Sequence, residues 1–265
     1  MDLFDLLEDL GDQAAHELAN PVEIIEASEF PDHLYAERRA WKRIEDVVAV
    51  VVDLTASTKL GTNRHAQTSA RIYEAATGGA VEAVETFDPS FVDIQGDGLF
   101  ALFHGDRRYE RALCAGITVK TFSEWSLVPE IENRLSGTVP KTGFKVGIAA
   151  STLLAKRVGV RGSSEPIWAG KAVNWATKCA QHATRHELVM TQKVWQKFEN
   201  NRHVTHSCGC PNGVSSLLWE TTQNDRLPEG AQECRLLKSK WCETHGEEFC
   251  NAILEGRSRP LLGAA

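Results

Sequence analysis

The chain alternates between helical and extended patterns of hydrophobic and polar positions. Apolar residues from Leu3 to Leu10 repeat with the spacing of one helix face, among acidic residues. They predict an amphipathic helix over 1–20 that ends at Pro21 and docks on the core. Residues 47–52 form an unbroken, largely β-branched run, which is typical of a strand buried on both faces. The main core of the protein is therefore expected to begin near this strand.

The same patterns predict further elements between this strand and residue 191. They are a helix over 59–87, two strands around Gly96-Asp97-Gly98 in 91–103, a helix over 107–125, a strand from Phe144, a loop over 156–166, a helix over 170–183 and a strand at Leu188–Thr191. Residues 21–43 are expected to act as a linker. Strands and helices therefore alternate along the middle of the chain.

Composition and charge narrow the possible functions. The 265 residues are 42% hydrophobic, which is ample for a core, and no apolar run approaches the roughly 20 residues of a membrane span. The net charge of -7 argues against electrostatically driven binding to nucleic acids or anionic membranes. The acidic N-terminus lacks the basic start of an export signal, so we expect a cytoplasmic protein with reduced thiols.

Five of the seven cysteines crowd the region from 208 to 250. The Cys-x-Cys and Cys-x-x-His spacings suit a structural Zn²⁺ site with tetrahedral geometry. The predicted set is Cys208, Cys210, Cys242 and either His245 or Cys250. Buried, metal-free thiols are the alternative interpretation of these cysteines.

Two aspartates follow strongly apolar strands and could carry chemistry. Asp53 alone would be explained by helix capping, and Asp97 alone by the chemistry of a hairpin turn. Two carboxylates on adjacent strands would instead suit Mg²⁺ or Mn²⁺, which bind carboxylate oxygens and nucleotide phosphates. The following residues Thr55, Ser57 and Thr58 open a predicted helix whose free amides would favour a triphosphate.

Four segments in order, VVDLTASTKL, FVDIQGDGLFALF, FKVGIAAS and GKAVNWATKCA, resemble the catalytic domain of class III nucleotidyl cyclases over about residues 44–195. The resemblance implies a ferredoxin-like α/β (α+β) core with a mostly antiparallel sheet. It also implies a head-to-tail homodimer with shared active sites, and two Mn²⁺ or Mg²⁺ ions bound by Asp53, Asp97 and the Leu54 carbonyl. The expected domains are 1–43 (helical extension and linker), 44–200 (catalytic domain) and 201–265 (Cys/His-rich extension).

The resemblance also assigns two catalytic residues. Asn174 matches the asparagine that orients the ribose, and Lys178 stands where the family usually has an arginine that stabilises the transition-state phosphate. A lysine supplies the charge without the bidentate fork of arginine. A solvated lysine on a helix surface is the alternative interpretation of Lys178.

The residues that select the base depart from both purine patterns. Asp93 stands at the position of the adenylyl lysine or guanylyl glutamate, and the second selector falls on Ile167 or, in another alignment, on Pro166. A pure acceptor such as Asp93 suits the N3–H of uracil or the amino group of cytosine. The chain thus resembles the pyrimidine cyclases of bacterial Pycsar anti-phage systems, whose cyclic UMP or cyclic CMP activates a separate effector.

The sequence leaves four functions open. A uridylate cyclase is favoured, because Asp93 can pair with the single N3–H donor of uracil, whereas cytosine N3 would lack a donor. The alternatives are a cytidylate cyclase, a purine cyclase with unusual base selectors, and a non-catalytic nucleotide sensor on the same fold.

Overall fold

The computed structural model of the protein describes residues 2–28, 30, 40–61, 65–135, 140–160 and 163–259. The helices are α1 (Leu3–Ala19), α2 (Ser57–Gly61), α3 (Ala66–Glu85), α4 (Arg108–Phe122), α5 (Val128–Arg134), α6 (Lys171–His182), α7 (Gln192–Trp195), α8 (Arg202–Thr205) and α9 (Gly246–Leu254), with a π-helical turn (Ser123–Leu127) joining α4 to α5. The strands are β1 (Glu23–Ala27), β2 (Ala40–Thr55), β3 (Phe91–Gln95), β4 (Gly98–Phe103), β5 (Gly143–Val160), β6 (Ser163–Gly170), β7 (Leu188–Thr191), β8 (Trp219–Gln223) and β9 (Glu233–Leu237).

Within these ranges the strands form one sheet in the order β3-β4-β2-β5-β7-β9-β8, with β1 paired to β2 and β6 to β5. The pairs β2–β4, β3–β4, β7–β9 and β8–β9 are antiparallel, whereas β1–β2 and β5–β7 are parallel. The predicted mixed α/β fold with a mostly antiparallel sheet is confirmed. Among the described residues, no helix has both the length and the apolar content to cross a membrane.

The two faces of the sheet have different environments. On one face, Val48, Val50 and Val52 of β2 are buried in the main hydrophobic core, which also contains Ile72 of α3 and Leu113 of α4. Because side chains alternate along a strand, Val51 and Asp53 lie on the other face. The polar residues considered below belong to β2, β3 and β5 on this second face, and α6 packs closely there.

Gly147 of β5 explains how α6 lies so close to the sheet. A Cβ at this position would collide with the backbone of Ala176 in α6. The buried face of α6 contains Ala172, Ala176, Cys179 and Ala180, so small side chains meet the strand on both sides of the contact. The predicted helix over 170–183 is confirmed.

The chain divides into two compact units. The smaller unit contains residues 1–44 and 154–169, so it includes α1, β1, β6 and the adjoining ends of β2 and β5. The larger unit contains 45–153 and 170–265. Residues 201–259 contribute β8 and β9 to the main sheet, so this part of the predicted Cys/His-rich extension belongs to the larger unit.

Two predicted elements differ in the structure. The single helix expected over 59–87 is two helices, α2 and α3, because His65, directly before α3, has an extended backbone. The loop expected over 156–166 contains the end of β5 and the start of β6, which pair with each other. Exposed residues such as Val158 and Ile167 leave no alternating apolar pattern from which these strands could be predicted.

The N-terminal region also departs from the prediction. Helix α1 forms as expected, with Asp2 accepting a hydrogen bond from the Phe4 amide at 2.9 Å. Phe4 is 77% exposed and no residue of α1 is buried within its own unit, and docking of the apolar face of α1 stays a prediction. The cap and the backbone hydrogen bonds suffice to define this helix. The expected linker contains β1, which pairs with β2 at Ala40–Ile44.

Candidate active site

Asp53 lies near the end of β2, where it forms an ion pair across the sheet. Its Oδ2 atom is 2.7 Å from Nζ of Lys145 in β5, and the two side chains are 39% and 20% exposed. Phe144 and Val146, the neighbours of Lys145, are buried in the core on the opposite face. The lysine therefore stands on the same face as Asp53 and balances its negative charge.

The β3–β4 hairpin brings Asp97 next to this ion pair. Gly96 and Asp97 form a two-residue turn between Gln95 and Gly98, which pair with each other. Val52 of β2 pairs with Leu99 of β4, so the continued register places Asp53 opposite Gly98, one residue from Asp97. A Cβ at Gly98 would collide with the Val52 carbonyl, so glycine allows the two strands to approach closely.

A cavity of about 160 Å³ adjoins Asp53 between the sheet and α6. Its lining includes Asp53, Gln95, Phe100, Val173, Thr177 and Gln181. One wall thus comes from β2, β3 and β4, and the opposite wall comes from α6. The cavity offers a carboxylate, two amide side chains and a hydroxyl along a largely apolar surface.

The predicted base selector, Asp93, lies at the outer edge of the same sheet face. It is half-buried on β3, two residues before Gln95, and its Oδ2 accepts a hydrogen bond from Gln95 Nε2 at 3.2 Å. Gln95 also lines the cavity beside Asp53. The acceptor at Asp93 and the amide of Gln95 therefore form one polar pair.

The segment after Asp53 contains the predicted phosphate-binding residues. Leu54 is buried, Thr55 ends β2, and Ala56 adopts a left-handed backbone conformation with φ of 59°. The Thr55 carbonyl accepts a hydrogen bond from Thr142 Oγ1 at 2.8 Å. The Thr55 Oγ1 atom itself is buried and has no hydrogen-bond partner in the described part of the chain.

Ser57 and Thr58 open α2, which is only five residues long. Ser57 is half-buried, and Thr58 is exposed. The amides of Lys59 and Leu60 already donate to the Ala56 carbonyl, at 3.0 and 3.2 Å. This turn places two hydroxyl side chains directly after the Asp53 strand.

Asn174 and Lys178 lie one turn apart on α6, as their spacing predicts. Asn174 is exposed, and its Nδ2 donates to the Gly170 carbonyl at 3.1 Å. Lys178 is half-buried, and its carbonyl accepts from Asn224 Nδ2 at 3.2 Å. Neither side chain lines the Asp53 cavity of its own chain.

The second predicted base selector belongs to the smaller unit. Ile167 lies on β6 and is 44% exposed, and Pro166, its neighbour on the same strand, is half-buried. The assignment of the second base selector to Ile167 or to Pro166 remains a prediction.

Sequence reasoning missed Lys145, Gln95, Thr177 and Gln181. Lys145 is the single charged residue in the apolar strand FKVGIAAS. A lone lysine in such a strand needs an oppositely charged partner, so it could have been predicted to pair with a carboxylate. The other three become recognisable only when α6 is placed over the hairpin, because they are ordinary polar residues in the sequence.

The candidate zinc ligands also come together. The ligand atoms of Cys208, Cys210, Cys242 and His245 all lie within 4.8 Å of one another. The alternative ligand Cys250 lies apart, where its carbonyl accepts a contact from Cys114 Sγ at 3.8 Å. Of the two sets that the sequence left open, the structure groups the one with His245.

Comparison with known proteins gives close relatives of one kind. The chain is 48% identical to a uridylate cyclase of Micromonospora echinofusca over 265 residues, which cover 98% of this chain and 86% of the relative. It is 46% identical to a uridylate cyclase of Propioniciclava tarda over 228 residues, covering 85% and 74% of the two chains.

Solved structures agree on the fold. The adenylyl cyclase CyaB from P. aeruginosa superposes with a TM-score of 0.60 at 11% identity, over 76% of this chain and 96% of that one. No protein-family model matches the chain. With a class III cyclase fold and two relatives of nearly half-identical sequence, the chain belongs to the family of uridylate cyclases.

Proposed function

We propose that this protein converts UTP to 3′,5′-cyclic UMP and pyrophosphate. In this reaction the ribose 3′-oxygen gives up its proton and bonds to the α-phosphorus, and the bond from that phosphorus to pyrophosphate breaks. The observation that carries the proposal is the strand register that sets Asp53 opposite Gly98, the neighbour of Asp97, together with the cavity that Asp53 lines. The choice of UTP as the substrate is supported by the close relatives, which are named uridylate cyclases.

The donor set fits two divalent cations of the Mg²⁺ or Mn²⁺ type. Asp53 and Asp97 provide carboxylate oxygens, and the Leu54 carbonyl is the third predicted donor. Hard oxygen ligands of this kind are the ones that these ions prefer. When bound, the ions would lower the pKa of the 3′-hydroxyl and stabilise the charge of the leaving pyrophosphate.

The residues of the chain position the substrate around these carboxylates. Ser57 and Thr58 follow the Asp53 strand and would offer hydroxyl donors to the triphosphate, and Thr55, whose hydroxyl is buried, is the third predicted residue of this segment. Lys145 supplies a positive charge that can turn from Asp53 toward a phosphate oxygen once the carboxylate holds a cation. Charge balance and orientation are thus the contributions of this face of the sheet.

Asn174 and Lys178 would act on the substrate held by a second copy of the chain. Both project from α6, Asn174 into solvent, and neither reaches the Asp53 cavity of its own chain. In a head-to-tail homodimer, Asn174 would orient the ribose and Lys178 would stabilise charge on the α-phosphate. Each active site would then be built from both subunits.

Asp93 and Gln95 would recognise uracil as a pair. The Asp93 carboxylate accepts the N3–H, and the Gln95 amide donates to one of the two flanking carbonyl oxygens. In this arrangement the N3–H donor and one of the two carbonyl acceptors on that edge of the base each have a complementary partner. Ile167 or, in the other alignment, Pro166 remains the predicted second selector of the base.

The cyclic UMP product would serve as a second messenger in the cytoplasm of a bacterium under phage attack. A separate effector protein that binds cyclic UMP would carry out the response. This role follows from the resemblance to the Pycsar cyclases.

Incubation of the purified protein with UTP and Mn²⁺ tests the activity. We expect 3′,5′-cyclic UMP and pyrophosphate in equal amounts, identified by mass spectrometry and a pyrophosphate assay. A folded dimer that binds UTP without forming either product would establish the nucleotide sensor instead. Cyclic CMP from CTP as the preferred product would establish the cytidylate cyclase.

A further inference from the structure

A cluster of three cysteines and one histidine lies far along the chain from the cyclase residues. The shortest contacts are 3.2 Å from Cys210 Sγ to His245 Nδ1 and 3.9 Å from Cys242 Sγ to the same nitrogen. Cys208 completes the group, and all four ligand atoms lie within 4.8 Å of one another.

These separations are close to those around a zinc ion. Tetrahedral coordination with sulfur at about 2.3 Å and nitrogen at about 2.0–2.1 Å separates the ligand atoms by about 3.5–3.8 Å. The widest spacing allowed by the cluster, 4.8 Å, therefore has to contract by only about 1 Å for all four atoms to reach one ion.

The local backbone supports the presentation of sulfur to a metal. The backbone amides of Thr244 and His245 donate hydrogen bonds to Cys242 Sγ. The turn is closed by the Gly246 amide, which donates to the Cys242 carbonyl at 2.7 Å. The Cys-x-x-His segment is thus a tight turn with its sulfur facing His245.

The other four cysteines have different environments. Cys114 is fully buried and contacts the Cys250 backbone, and Cys179 and Cys234 are buried together in a separate small cluster. Cys210, in contrast, is exposed, and Cys208 and Cys242 are only partly buried. Packing into a hydrophobic core accounts for the buried cysteines. It does not explain why Cys208, Cys210 and Cys242 lie so close together.

We propose that Cys208, Cys210, Cys242 and His245 bind one structural Zn²⁺ ion, with His245 coordinating through Nδ1. Four protein ligands complete a tetrahedral shell and leave no open position for a substrate or an activated water. The role of the ion is therefore to hold chain segments together, and the site is separate from the carboxylate pair at Asp53 and Asp97.

The segments that the ion would join need such a connection. Residues 210–217 are exposed, including the apolar side chains of Val214 and Leu217, so this loop has little core of its own. On the other side, His245 directly precedes α9, whose Phe249 and Ile253 are buried. A zinc ion would fasten the loop to the start of a helix that is well anchored.

The proposed zinc site would form part of the wall of a cavity of about 620 Å³. Its lining includes Cys208, Cys210 and Cys242 together with the apolar residues Val204, Trp241 and Phe249. Loss of the ion is therefore expected to loosen this wall without touching the cyclase residues.

Metal analysis of full-length protein, purified without chelators and without metal-affinity resin, tests the proposal. We expect one zinc per chain by mass spectrometry, and most of it lost in Cys242→Ser and in His245→Ala. Cys250→Ser is the matched cysteine control and should keep its zinc. Asp53→Asn should also keep it, because the cyclase carboxylates are not ligands.

Cobalt substitution of the wild-type protein gives a readout that does not depend on any variant. We expect the charge-transfer and d–d absorption bands of tetrahedral Co²⁺ with thiolate ligands, displaced by one equivalent of Zn²⁺. The proposal is overturned by a folded protein that binds neither metal at stoichiometric concentration, by a disulfide among the three cysteines, or by zinc that is lost in Asp53→Asn and kept in Cys242→Ser.

Discussion

Lys145 Nζ lies 2.7 Å from Asp53 Oδ2, so the carboxylate proposed to hold a metal ion is paired with a lysine. The positive charge of Lys145 offsets the repulsion between Asp53 and Asp97, two carboxylates that lie near adjacent strand ends. The pair also places the positive charge of Lys145 where the triphosphate would bind. The ion pair thus joins the proposed metal-binding carboxylate to a lysine that could contact the substrate.

The first prediction concerns the two carboxylates. Asp53→Asn and Asp97→Asn each remove a charge without changing the side-chain volume, so the fold should persist while cyclase activity falls at least about hundredfold, or roughly 3 kcal/mol of barrier. Initial rates of cyclic UMP formation measure the loss, and circular dichroism checks the fold. Asp106→Asn, an exposed aspartate in a turn of the same unit, is the control and should retain full activity.

The second prediction concerns Lys145. Replacement by Met removes a partly exposed ion pair worth at most about 1 kcal/mol of stability, so the melting temperature should change little. Loss of a charged contact to phosphate costs about 1.5–3 kcal/mol, which should lower kcat/KM for UTP by about tenfold to hundredfold. Lys145→Arg keeps the charge and should retain most activity. Unchanged kinetics in Lys145→Met would show that the lysine only balances Asp53.

The third prediction concerns the base. Asp93→Ala should weaken the preference for UTP over the other nucleotides by about tenfold to hundredfold, because an unmatched donor or acceptor costs roughly 1–3 kcal/mol. Asp93→Asn replaces one acceptor by a donor and should move the preference toward CTP, whose N3 is an acceptor. Ratios of kcat/KM for the four nucleotides measure both effects. A wild-type order of substrates in Asp93→Ala would rule out this residue as the selector.

The fourth prediction concerns stability and pH. Burial, reinforced by Arg185, lowers the pKa of His186 from 6.5 to about 4, against an opposing effect of Glu124 and with smaller contributions from Lys120 and Lys240. Between pH 6.5 and 4, His186 is therefore protonated in the unfolded chain and neutral in the folded protein. The free energy of unfolding should fall as the pH falls through this window, and the loss should be complete below about pH 4.

Urea unfolding at pH 7 and pH 5 measures this dependence. His186→Asn is a suitable variant, because His186 has a backbone φ of 63° and asparagine tolerates that conformation. The variant should lose less stability than the wild type between the two pH values. Equal losses in both proteins would assign the pH dependence to other groups.

The sequence predicts those parts of the site that local chemistry determines. The hairpin at Asp97 follows from the glycines on both sides of Asp97, and the Asn174–Lys178 spacing follows from helix periodicity. The pairing of Asp53 with Lys145 and the contact of Asp93 with Gln95 depend on the order of strands and on side-chain direction within them. Such contacts between distant or alternating positions leave only weak traces in a single sequence.

The elements that escaped prediction lack the usual apolar signature. Strand β6 has exposed residues such as Ile167, so its pairing with β5 comes from backbone hydrogen bonds that no periodicity reports. Helix α1 shows the opposite case, since its apolar face is evident in the sequence and yet Phe4 is exposed. A hydrophobic pattern predicts the element without predicting what covers it.

The central claim is that Asp53 of one subunit and Asn174 of its partner act on the same UTP. Asp53→Asn and Asn174→Ala should each be inactive alone, and mixing them under verified subunit exchange should restore cyclic UMP synthesis. A random mixture yields one intact site in half of the dimers, or about a quarter of the wild-type rate. Mixing Asp53→Asn with Asp97→Asn should restore nothing, because one chain supplies both carboxylates. Recovery in the first mixture alone is the predicted result, and no recovery in the first mixture would contradict the account.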